Sequence, residues 1–231
     1  MTFSLNEVVP WGRSFDEYVA MFAISEDDLL GKRILGCGDG PAAFNAALAR
    51  RGGKVVSVDP LYQFSANEIR HRIDVTYPIV MEQTRKNLHD FVWHNIGSVE
   101  ELGRIRMAAM EEFLSDYPRG LTEGRYIEAS LPTLPFKDGE FDLAICSHLL
   151  FLYSEHLSGE FHVAAISELC RVAAEVRIFP LLELGAKRSR HLESVLTRLR
   201  QGGLAADIEP VAYEFQKGGN EMLRVIGNRL A

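Results

Sequence analysis

The sequence predicts an α/β sandwich round a mostly parallel sheet, with a helical insertion between its second and third strands. Three observations predict it. A short apolar run, Arg33-Ile34-Leu35, leads directly into Gly36-Cys37-Gly38-Asp39-Gly40. After a helix-like segment and Gly52-Gly53, the β-branched run Lys54-Val55-Val56-Ser57-Val58-Asp59 stops at Pro60, which completes a βαβ unit with parallel strands. From Leu61 to Glu123 the apolar residues then follow helical spacing without a convincing strand.

The elements follow in order. Ser14-Phe15-Asp16-Glu17 reads as a capping box opening a helix from Ser14 to Ala23, and Ser25 with Asp27 and Asp28 starts another turn. Pro41 to Arg51 reads as the crossover helix, with Pro41 in the first turn, where its missing N–H costs nothing. The insertion carries two helices: Ser65 to Asn87 (Ile69, Ile73, Val80 and Met81), with a break expected near Pro78, and Val99 to Tyr117 (Leu102, Ile105, Ala109 and Phe113). Strands are expected at Arg125–Ala129, Phe141–Cys146 and Glu175–Leu182. Helices are expected at Phe161–Val172 and Ser189–Gln201. Two final strands, Asp207–Phe215 and Glu221–Ile226, flank a turn containing Gly218-Gly219 and form an antiparallel pair.

At 231 residues the chain matches one domain of generous size and can bury a core without disulfides. Formal charge is −7, from 32 acidic and 25 basic residues, which argues against a protein that grips a nucleic-acid backbone. Cys37, Cys146 and Cys170 include no CxxC pair, so neither a disulfide framework nor a structural zinc site is expected. Met1 to Pro10 has no secretory pattern, and Leu143–Tyr153 is too short to span a bilayer. The expectation is a reduced, cytoplasmic, soluble protein with residues 1–30 as a helical cap and 61–123 as the insertion.

The glycine loop carries the chemistry. A nucleotide-type ligand needs close approach to backbone, and glycines remove the obstructing β-carbons and permit positive φ. Asp59 ends the next strand 21 residues beyond Gly38, where a carboxylate can accept both ribose hydroxyls of a bound adenosine. Glycines in a tight turn and a solvent-facing Asp before Pro60 are the plainer alternatives.

Arg33-Ile34-Leu35-Gly36-Cys37-Gly38-Asp39-Gly40 resembles the first motif of class I S-adenosylmethionine (SAM)-dependent methyltransferases, and Val55-Val56-Ser57-Val58-Asp59 resembles their second. Leu134-Pro135-Phe136-Lys137-Asp138-Gly139-Glu140-Phe141-Asp142-Leu143 is similar to the passage before their fourth strand. Glu168-Leu169-Cys170-Arg171-Val172 resembles the helix before their fifth. The resemblance covers Lys32 to Leu182 in the expected order. It implies a Rossmann-like three-layer sandwich with a seven-stranded sheet whose last strand is antiparallel. It also implies SAM as cofactor and S-adenosylhomocysteine (SAH) as product. The implied cofactor residues are Gly36, Cys37, Gly38, Gly40, Asp59, Pro60, Ser130, Leu131 and Ser147. The chain departs from the pattern in four places: Gly36 stands where the family has an acid, Ala42 where it has a third glycine, Ser130 at the adenine-contacting acidic position, and Val172-Ala173-Ala174-Glu175 where it has Pro-Gly-Gly before the fifth strand. A dinucleotide enzyme is the nearest rival, but it has no counterpart of Leu134–Asp142.

Methyl transfer is an in-line displacement on an activated sulfonium, so the protein's tasks are alignment, exclusion of water and, where needed, removal of a proton. His148, directly after the fourth strand, is the candidate catalytic base; a buried pocket-shaping histidine is the alternative. Tyr153 is a candidate for orienting a substrate. His156 and His162 are too loosely spaced for a metal pair, and no metal is expected. The basic side chains Lys187, Arg188, Arg190, Arg198 and Arg200 read as a solvated helix face. Trp11 is a candidate lid or anchor. Trp93, His94, Tyr77 and Arg72 of the insertion are candidates for substrate selectivity. A small-molecule acceptor is expected, with the insertion available as a homodimer contact. The alternative function is a non-catalytic SAM- or nucleotide-binding module that holds a protein partner through the insertion.

Overall fold

The computed structural model describes residues 9–227, so most of the Met1–Pro10 segment lies outside the described residues. In chain order the elements are α1 (Phe15–Met21), α2 (Glu26–Gly31), β1 (Arg33–Cys37), α3 (Phe44–Arg50) and β2 (Lys54–Val58). The insertion supplies α4 (Ala66–Lys86) and α5 (Val99–Thr122). Then follow β3 (Tyr126–Ile127), β4 (Phe141–Ser147), α6 (Gly159–Val172), β5 (Ala173–Phe179), β6 (Leu182–Glu183), β7 (Lys187–Arg188), α7 (Leu192–Gln201), β8 (Ala205–Pro210) and β9 (Glu221–Ile226).

Seven strands form one sheet in the order β3-β2-β1-β4-β5-β9-β8, and β6 pairs with β7 separately. β1 runs parallel to both β2 and β4, with Cys37 opposite Val58 on one side and Cys146 on the other. β9 is antiparallel to both of its neighbours, β5 and β8. The expected Rossmann-like sandwich is therefore the observed one. From β1 the chain proceeds outward to β2 and β3, then returns to β4 on the opposite side. That reversal opens a crevice beyond the carboxyl ends of β1 and β4, the usual ligand position in such sheets.

Alternation along the strands distributes the core. Leu35 packs with Leu169 of α6 and Leu196 of α7 on one face. Ile34, Val55, Leu143 and Ile145 pack with Tyr18 of α1 and Phe44 of α3 on the other. The insertion has its own cluster, in which Ile69 and Ile73 of α4 meet Phe113 and Tyr117 of α5 over Tyr62 and Tyr126. No described helix is long and apolar enough to cross a membrane.

Several boundaries differ from the sequence reading. The crossover helix begins at Phe44, so Pro41 lies in the loop before it, where Gly38 and Gly40 adopt φ of +67° and +53° and extend the turn. α4 passes unbroken through Pro78, and α5 passes through Pro118 to Thr122. Their packing on one another and on the sheet edge offsets the hydrogen bond that each proline removes. β3 is only two residues long because it pairs on one side alone, with β2. β5 ends at Phe179 because Pro180 has no N–H for the ladder, and Leu182–Glu183 leaves the main sheet to pair with Lys187–Arg188. Pro210 likewise ends β8, well short of Phe215.

Candidate active site

The two glycines of positive φ bend the chain out of β1. Gly38 N–H bonds the Val58 carbonyl at 2.9 Å, which ties the loop to the end of β2. A side chain at Gly38 would be strained by φ and would strike Leu149, whose side-chain atoms begin 2.8 Å from an ideal Cβ. Asp59 closes the other half. Its Oδ2 accepts from Gly40 N–H at 2.9 Å and its Oδ1 from Leu61 N–H at 2.8 Å. Each oxygen keeps a second lone pair, so the carboxylate both caps the turn at Pro60–Gln63 and retains capacity for two hydroxyl donors.

Gly36, expected at the cofactor, lies against Asp39. It does not line the cavity; instead a Cβ there would lie 1.8 Å from Asp39 Oδ2. The missing side chain makes room for the Asp39 carboxylate, which folds back beneath the loop and is 6% exposed. Tyr18 Oη of α1 donates to it at 3.0 Å and Ser57 Oγ of β2 at 2.6 Å. The Asp39 carboxylate thus occupies the space that a side chain at position 36 would fill. Burial raises the Asp39 pKa to about 7, with the nearby Asp59 charge adding to the rise, while the Ser57 and Tyr18 hydrogen bonds oppose it.

These groups open onto a cavity of about 420 Å³, within the usual range for small-molecule sites. Cys37, Gly38, Gly40, Asp59 and Pro60 form one wall. Ser130 and Leu131, from the loop after β3, form another, with Ser147 and His148 at the end of β4. Of the insertion's candidates, Arg72 reaches the cavity with its guanidinium stacked on the Phe64 ring. Trp93 instead packs on Phe91 and Phe215, Tyr77 packs against Trp11 and Gly103, and His94 is exposed. Trp11 and Tyr153 both line the cavity.

His148 sits at φ 54°, with its N–H bonded to the Phe179 carbonyl at 2.7 Å and its Nδ1 2.9 Å from Ser147 Oγ. Burial pushes its pKa well below the ordinary value, and the charges of Arg13 and Arg106 push it further, so the ring is neutral near neutral pH. His162 is a structural residue. It is fully buried, with Nε2 accepting from Phe151 N–H at 3.0 Å and Nδ1 2.7 Å from the Ser158 carbonyl.

Sequence reasoning missed the ionic cluster beneath this wall. Glu17 is the N3 residue of the Ser14 capping box, and Ser14 N–H reaches its Oε2 at 3.0 Å. The same carboxylate also accepts from Arg106 Nη1, and Tyr213 Oη donates to its Oε1 at 2.8 Å. Burial alone would raise Glu17, but the charge and hydrogen bond of Arg106, with Arg13 and Ser14, hold it down at about 2. The signal was in α5: Arg106 falls on the apolar stripe of Leu102, Ala109, Met110 and Phe113, and a charge there is buried.

No family model matches the chain. The chain is 34% identical over 221 residues to the uncharacterized protein MJ0045 of Methanocaldococcus jannaschii, spanning 95% of this chain and 96% of that one. Among solved structures it resembles magnesium protoporphyrin IX methyltransferase from Synechocystis PCC 6803 with bound SAH, at TM-score 0.51 and 15% identity, over 92% of this chain and 81% of that one. A TehB-like SAM-dependent methyltransferase from Corynebacterium glutamicum gives TM-score 0.49 at 16% identity, over 92% and 87% of the two chains.

Proposed function

We propose that this chain, which belongs to the family of the M. jannaschii protein MJ0045 and has the fold of class I SAM-dependent methyltransferases, is a SAM-dependent methyltransferase acting on a small molecule. One observation carries the reading: the glycine turn of β1 and the carboxylate ending β2 meet on a single cavity at the point where the sheet's strand order reverses.

The residues present fit the cofactor. Asp59 keeps two acceptor positions for ribose hydroxyls, Ser130 and Leu131 bound a site for the adenine, and the backbone of Gly38 and Gly40 admits close approach. Cys37, Pro60 and Ser147 complete the surround. When bound, SAM supplies a methyl group on a sulfonium, and in-line attack by the acceptor leaves SAH. The protein's part is placement and dryness: Tyr18, Phe179 and Leu152 give the cavity buried apolar and aromatic surface.

Where the acceptor loses a proton, His148 is the residue to take it. Its ring is neutral, and with Nδ1–H donated to Ser147 Oγ the Nε2 lone pair is free to accept. Burial makes it a weak base, suited to a proton that leaves as the methyl arrives.

Transfer of labelled methyl from SAM into a small-molecule extract, dependent on the protein, tests the reading. Asp59→Ala is expected to weaken SAH binding by about 1–3 kcal/mol, since it removes charge-assisted bonds to the ribose. Unchanged SAH affinity in the folded variant would reduce Asp59 to a turn cap.

A further inference from the structure

Beyond the cofactor residues, the cavity is bordered by two arginines whose charges are incompletely matched. Arg13, just ahead of α1, and Arg106, on α5, both line it. Arg106 is 1% exposed. Glu17 is the carboxylate bonded to Arg106, and its oxygens are already engaged by Ser14, Arg106 and Tyr213. Arg13 donates Nη1 to the Trp11 carbonyl at 3.3 Å. The Nε atoms of both arginines are buried without a hydrogen-bond partner. Buried donors left unsatisfied are costly, and both of these belong to guanidinium groups on the wall of the same cavity.

Charge gives that acceptor's sign and size. Arg13 and Arg106 carry two positive charges against the single negative charge of Glu17, with His148 neutral. The excess is one positive charge, which one carboxylate balances and a dianionic phosphate would overshoot. A guanidinium fork also matches the two oxygens of a carboxylate. The surrounding wall is aromatic and apolar, with Trp11, Leu152, Tyr153, Phe179 and Phe215.

The two arginines stand on the side of the cavity formed by α1 and α5. Arg106 is bonded to Glu17 and through it to Tyr213, whereas Asp59 is bonded to Gly40 and Leu61; the Arg13 carbonyl accepts from Ala43 N–H at 3.0 Å, just after the glycine loop. We infer that Arg13 and Arg106 hold a carboxylate of the methyl acceptor, so that the acceptor is an aromatic or otherwise apolar carboxylic acid. The inference rests on the methyltransferase reading and names the substrate class for it.

The test uses SAH-saturated full-length protein titrated with benzoate, phenylacetate and indole-3-acetate, each beside its uncharged amide. At least one acid is expected to bind about tenfold more tightly than its amide. Arg13→Gln should abolish that preference and leave SAH affinity within about threefold, and Arg13→Lys, which keeps the charge but not the fork, should recover part of it. Thermal unfolding of each variant verifies that it is folded. Equal affinity for acid and amide across all three pairs would overturn the inference. So would a loss of SAH affinity of about tenfold in Arg13→Gln, which would move the arginine to the cofactor's own carboxylate. Absence of SAH binding to the wild-type protein would instead defeat the methyltransferase reading. In that case the same acid–amide comparison on ligand-free protein still decides whether the arginines select carboxylates.

Discussion

Glu17→Ala is expected to destabilise the protein by about 3–5 kcal/mol, because it strands the Arg106 guanidinium in a site that is 1% exposed. It also removes the acceptor for Tyr213 Oη and the return bond of the Ser14 capping box. At about 2–4 °C per kcal/mol for a chain of this size, the melting temperature should fall by roughly 10 °C. The double variant Glu17→Gln with Arg106→Met should recover much of the loss, since an apolar side chain needs no partner there. A loss no smaller in the double variant would show that the pair's charge is not the cause.

The same carboxylate predicts an acid dependence. Its folded pKa of about 2 lies below the ordinary 4.5, so between these values the unfolded chain binds more protons. The stabilisation is fully present above pH 4.5 and disappears as pH falls towards 2. Glu17→Ala should flatten that part of the stability profile.

Asp39→Asn is the second large effect, and its sign is opposite. Asp39 rises to about 7 from an ordinary 3.8, so between those values the folded protein holds the extra proton. Stability contributed by this group is therefore greatest at acid pH and falls as pH rises towards 7. Asparagine mimics the protonated acid. The variant should be more stable than the wild type by on the order of 4 kcal/mol at about pH 8, by about half that or less at about pH 5, and by little at about pH 4, measured by urea unfolding. A variant less stable at both pH values would mean that Ser57 and Tyr18 need the ionised carboxylate. A cationic cofactor in the cavity favours the carboxylate, so SAM binding at about pH 6 should release a proton and show a buffer-dependent enthalpy.

The features legible in the sequence are those set by local backbone chemistry. Glycines after a short apolar strand, a β-branched run ending in Asp59 and the proline that follows each leave a local mark. The βαβ unit and the position of Asp59 were legible for that reason. What the sequence concealed depends on atoms brought together by the fold. The placement of the Asp39 carboxylate over Gly36 needs the positive φ of Gly38 and Gly40, which bends the chain back on itself. Glu17 and Arg106 are 89 residues apart, and each lies on a helix whose neighbouring charges are solvated. The cavity's far wall includes Tyr213 and Phe215, which were read as strand. Pro210 ends β8 and frees them to reach it, while Phe91 and Gln216 form an isolated bridge between the insertion and this loop.

The proposal that the Gly38–Asp59 crevice is a SAM site is tested most directly by equilibrium titration of the protein with SAH, with NAD in parallel. The account predicts saturable SAH binding in the micromolar range, a weakened isotherm in Asp59→Ala and no competition from NAD. Failure to bind SAH at millimolar concentration, or displacement of SAH by NAD, would contradict it.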